Sequence, residues 1–162
     1  MGILYIQEAY EFYTRNFQKK FGFPKGCSFE EIRGLEHDFG YVFPDAYREF
    51  LSWMGKDHRG VFCGSDWYSK DIKGNTEYLP DLLDDNGITW DSTNLLVFFC
   101  HQGYMAAWFN LPKEDEDPLV GFFSEGTTGE PIIQGTFSKF LLKEISVPHT
   151  SACFPFIGST TF

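Results

Sequence analysis

The chain has 162 residues, a formal net charge of −10 and 19 phenylalanines. That length suits one domain spanning 1–162, with a Phe-rich core and no need of covalent staples. The acidic balance excludes a sequence-independent nucleic-acid binder and argues against an anionic membrane surface, since both need a basic footprint.

Residues 3–21 carry Ile6, Ala9, Tyr10, Tyr13, Phe17 and Phe21 at helical spacing, and Gly22 and Pro24-Lys25-Gly26 stop the pattern. This predicts a packing helix; a partner-binding helix would show the same pattern. Ser28 and Glu31 have the S-x-x-E spacing of a capping box. Ile32, Leu35 and Phe39 then share a face, and Gly40 stands at a left-handed C-cap. Phe43-Pro44-Asp45 restarts the chain as a second helix whose buried face is Tyr47, Phe50, Leu51 and Met54, ending at Gly55.

From Lys56 to Asn75 the sequence is turn-rich, with Val61-Phe62-Cys63 as one short strand and Asp66-Trp67-Tyr68 as a short strand or aromatic loop. Thr76 to Asn86 predicts a brief helix with Leu79, Leu82 and Leu83 inside. The Asp-rich run ahead of Gly87 is not a calcium loop. Counting back from that glycine puts Leu82 at the first ligand position, and Thr93 replaces the bidentate Glu.

Leu95 to Cys100 is the clearest strand, Gln102-Gly103 a tight turn, and Tyr104 to Phe109 the return strand. A charged loop from Asn110 to Pro118 leads to a third strand, Leu119 to Phe123. Gly126 to Pro131 is another turn, and Thr136 caps a final helix with Phe137, Phe140, Leu141 and Ile145 inside. Residues 146–162 form an apolar C-terminal arm in which Pro148, Pro155 and Gly158 disfavour a regular helix. It either packs back over the body or serves a partner.

No catalytic residue, metal site or cofactor motif emerges. Cys27, Cys63, Cys100 and Cys153 lack C-x-x-C spacing. With no basic n-region at the N-terminus and no transmembrane-length run, the chain reads as cytoplasmic, its thiols reduced. Cys100-His101 is the only adjacent nucleophile–base pair, and strand neighbours point to opposite faces. His37, His58, His101 and His149 have no metal-helix spacing, and no phosphate-binding glycine loop is present. The densest charge cluster, Glu114-Asp115-Glu116-Asp117, is either a solvated loop or a rim that meets a basic partner.

Glu31-Ile32, Leu35-Glu36, Phe39-Gly40, Phe43-Pro44-Asp45-Ala46-Tyr47-Arg48-Glu49-Phe50-Leu51 and Gly55 together resemble the opening signature of the SUKH superfamily. In that signature "E-x-x-L/F-G" is followed by "L-P-x-x-Y-x-x-F-L" and a glycine. Gln102-Gly103-Tyr104, Trp108-Phe109-Asn110-Leu111, Leu119-Val-Gly-Phe and Ser138-Lys-Phe140-Leu-Leu are similar to its later elements, so the resemblance covers residues 28–145. Phe43 and Asn110 depart from the commoner Leu and Asp.

The resemblance implies an α+β domain with helices packed on one curved antiparallel sheet, and no enzyme. It also implies an immunity protein that neutralises a bacterial toxin by direct binding, or a regulatory interaction module like the fungal cell-wall relatives. An acidic aromatic surface complements the basic cleft of a nuclease toxin. Charge and expected aromatic exposure name Asp66, Trp67, Asp84, Asp85, Trp90, Glu114, Asp115, Glu116 and Asp117 as contacts, with no nucleic acid and no membrane involved.

Overall fold

In a computed structural model, residues 2–147 of the chain are described; the expected C-terminal arm lies outside them, save its first two residues. The organising pair is formed by local chemistry. Glu31 N donates to Ser28 Oγ at 3.1 Å and Ser28 N to Glu31 Oε2 at 2.7 Å, closing the capping box of α3 (Phe29–Phe39). Gly40, at φ 75°, ends α3 in the left-handed conformation. Between α3 and α4 (Asp45–Met54) the buried Glu36 carboxylate accepts from Phe43 N at 2.9 Å and pairs with Arg48 Nε at 3.1 Å. Gly26 lets the preceding chain touch α4, because a Cβ there would lie 1.6 Å from the Ser52 carbonyl oxygen.

The expected first helix is shorter and broken. Its parts are α1 (Gln7–Asn16) and α2 (Gln18–Phe21), interrupted at Phe17, whose φ is −124°. It starts late because N–H groups of Leu4, Tyr5 and Ile6 all donate to the buried Glu49 carboxylate of α4, at 2.9, 2.9 and 3.1 Å. Ile6 sits at the N-cap, no side chain caps the first turn, and the distant Glu49 carboxylate instead anchors the chain that leads into α1.

One open antiparallel sheet follows in the order β1 (Ser65–Asp66), β2 (Leu95–His101), β3 (Met105–Asn110), β4 (Leu119–Ser124) and β5 (Ile132–Thr136). Gln102 and Gly103, at φ 46° and 79°, make the mirror-image turn whose twist suits a hairpin. Three expectations are corrected. Val61-Phe62-Cys63 is a turn, and the next strand is only Ser65–Asp66. The helix α5 (Ile72–Asp85) begins four residues before Thr76. The last strand, β5, was not foreseen: its two isoleucines follow directly on the turn, and a bulge at Gln134–Gly135 hides the alternation.

A second bulge shapes the core. Val97 pairs with Trp108 but Phe99 with Ala107, so β2 carries an extra residue. Consecutive Phe98 and Phe99 therefore both face the layer of α1, α4 and α6 (Phe137–Ser146), where Tyr47 packs on Phe43, Phe50, Phe98, Phe109 and Phe137. Val97 N is instead bonded to Thr76 Oγ1 at 3.0 Å, tying α5 to the opposite face of β2. There Leu79, Leu82 and Leu83 cover Leu95, Val97, Cys100 and Ala106. The fold is α+β, as the resemblance implies.

Candidate functional site

On the α5 side, β3, β4 and β5 continue past the helix, and their register brings one set of side chains together. Trp108 pairs with Gly121, and Gly121 with Ile133, so all three positions face the same way. The indole of Trp108 lies across Gly121, where a Cβ would be 2.4 Å from Nε1. Only glycine lets the ring lie flat across β4. Trp90, from the loop after α5, meets Trp108 edge-on with ring centroids 6.5 Å apart.

The result is a groove of 620 Å³ floored by Trp108 and walled by Trp90, Pro118, Leu119, Pro131 and Ile133. Leu119 and Ile133 are 62% and 63% exposed and Trp90 is 47% exposed, a concentration of apolar surface that isolated surface residues would not produce. The ionisable residues lining the groove are Glu114, Asp115 and Asp117. All are acids.

Of the nine residues singled out from the sequence, Trp90, Glu114, Asp115 and Asp117 come together here. Asp66 lies exposed on the edge strand β1, and Asp84 and Asp85 lie exposed at the C-terminal end of α5; none of them lines the groove. Trp67 is corrected. It is 1% exposed and stacks on Phe62 at 4.3 Å within the helix-side core, so it is no surface anchor.

The acidic loop is divided in its duties. Glu116 Oε2 accepts from Asp45 N at 2.8 Å and the Glu116 carbonyl from Ala46 N at 2.9 Å, holding the first turn of α4. Its carboxyl is shifted below the usual carboxylate range, first by the bond from the Lys113 ammonium. Asp117 accepts from Ser138 N at 2.9 Å and Ser138 Oγ at 2.6 Å and thereby caps α6. Both acids complement positive helix ends. Glu114 and Asp115 are exposed and form the groove rim.

Trp108, Leu119, Gly121 and Ile133 were not among the contacts expected from the sequence. The signal available was the tryptophan of one strand facing a glycine of the next, followed by the β-branched pair Ile132-Ile133.

The residues with nucleophile chemistry are placed otherwise. Cys100 is packed under α5, and burial, with Asp66 and Asp71 adding, pushes its thiol up to about 12. It is a core residue rather than a thiolate. His101 Nδ1 lies 2.7 Å from Ser65 Oγ at the sheet edge, its imidazole shifted downward by burial. Among the described residues no cluster of His, Cys, Asp and Glu fits a metal ion, and no helix is long and apolar enough to cross a membrane.

Among curated proteins nothing matches the chain. The family model described as SMI1 / KNR4 family (SUKH-1) matches residues 26–143, from just before the α3–α4 pair to within α6. The chain belongs to the SMI1 / KNR4 (SUKH-1) family.

Proposed function

We propose that this protein is a cytoplasmic immunity protein that binds and neutralises a cognate bacterial toxin domain by direct contact, and that a basic nuclease is the toxin that suits it. The supporting observation is the groove: exposed apolar walls of Trp90, Leu119 and Ile133 over the buried Trp108, a rim of Glu114 and Asp115, and no basic lining residue. Aromatic anchors in a concave, dryable site supply affinity, and the acidic rim steers a basic partner into it. Family membership supports an interaction module of the immunity or Smi/Knr type.

Co-expression tests this reading. A host carrying the toxin encoded beside this gene should survive when the protein is supplied and die without it. Death in both cases contradicts the proposal and favours the second reading that family membership supports, a regulatory module with no toxin.

A further inference from the structure

We propose that the groove takes an extended segment of the partner protein, added as a strand to β5, the edge of the sheet among the described residues. Apolar side chains of that segment lie over Trp108, and an arginine or lysine sits between Trp90 and the Glu114–Asp115 rim. This rests on the reading above in taking the partner to be a protein; it goes further by assigning the face, the backbone mode and the side-chain chemistry.

The sheet ends at β5, whose described neighbour is β4 alone. Natural edge strands are usually guarded by charges or proline. The strand Ile132–Thr136 carries no charge and exposes two isoleucines; Pro131 precedes it and the bulge at Gln134–Gly135 confines regular pairing to Ile132 and Ile133. The Ile132–Ile133 end of this edge, ahead of the bulge and beside an apolar groove, has the geometry of strand addition, in which main-chain bonds give affinity and pockets for alternate side chains give specificity. Residues of an added strand opposite Ile133 would face the same side as Gly121 and Trp108, because register is shared across a pair.

Charge selects the cation. Asp117 is committed to Ser138, which leaves Glu114 and Asp115 to compensate a positive side chain. Trp90, 47% exposed and held in a T-shaped contact with Trp108, offers that cation an aromatic ring. A second copy of the chain fits badly, since it would bring an acidic rim of a −10 protein against another.

The test is selection of phage-displayed random decapeptides on the full-length protein, followed by titration of the enriched sequences as synthetic peptides. Enriched peptides should carry Arg or Lys two residues from an aliphatic or aromatic side chain. Their affinity should fall about tenfold or more with Ile133→Asp, at a position exposed enough to spare the fold, with circular dichroism checking that the variant is folded. N-methylation of alternate peptide amides should abolish binding. Glu114→Gln with Asp115→Asn should weaken binding and flatten its salt dependence. No enrichment, peptides indifferent to these changes, or a self-dimer that Ile133→Asp dissolves would each overturn the inference. A toxin still neutralised by the Ile133→Asp protein overturns the groove and spares the immunity reading. Groove-dependent peptides without protection in co-expression do the reverse.

Discussion

His58 is 3% exposed, stacked on Tyr68 with centroids 4.3 Å apart, and neither ring nitrogen has a hydrogen-bond partner among the described residues. Burial lowers its pKa from 6.5 to about 4, against a smaller upward pull from Asp57. The folded protein thus holds the imidazole neutral where the unfolded chain already binds a proton. Its contribution is complete above pH 6.5 and is lost as pH falls toward 4, by about 3 kcal/mol in total. Urea unfolding of the wild type and His58→Phe across this range should diverge by that amount; parallel curves would contradict the assignment.

Gly121 gives a second prediction at the same scale. Valine there would place its Cβ 2.4 Å from the Trp108 indole nitrogen and expel the ring. Stability should drop by about 1–3 kcal/mol, with a red shift in tryptophan emission; an unchanged spectrum would contradict the flat-lying ring. The sequence separates these residues poorly. Trp67 and Trp90 both stand in turn-rich, acidic surroundings, yet the first is core and the second surface. Exposure was decided by long-range packing against Phe62, Phe50 and Phe140 that no local pattern encodes.

At the scale of elements, the caps that depend on neighbours in sequence were legible and those supplied from elsewhere were not. Ser28 and Glu31 cap α3 as their spacing requires, and Gly40 ends it. Thr136 precedes α6 but makes no cap bond to that helix's backbone; Asp117, from the acidic loop, does so instead. Glu49, more than forty residues away, likewise holds the N–H groups of Leu4 to Ile6 ahead of α1, and that helix begins later than its apolar spacing suggests. The same strand-to-strand dependence hid β5, whose five residues acquire meaning only beside β4. Asp117→Ala should therefore cost about 1 kcal/mol of stability, read by thermal or urea unfolding. If it left stability untouched while weakening partner binding, Asp117 would belong to the interface rather than to the helix.

For the whole molecule, the α3–α4 pair identifies the family and fixes the fold, while the groove lies on the other side of the sheet, on β3 to β5. Glu36 and Arg48 are spent on the corner between the two helices, and Tyr47 on the aromatic core beneath them. Those signature residues hold the frame. The acidic character visible in composition also splits once folded. Glu36, Glu49, Glu116 and Asp117 satisfy backbone N–H groups internally, and Glu114 and Asp115 face solvent over the groove. Net charge suits the proposed basic partner, and the geometry leaves Glu114 and Asp115 as the acids facing solvent at the groove. The most direct measurement is calorimetric titration of this protein with the proposed partner, a purified toxin domain from a neighbouring gene, at low and at high salt. A one-to-one complex that weakens as salt rises, and weakens again with Trp90→Ala, is the predicted result; no heat of binding at either salt would contradict the account.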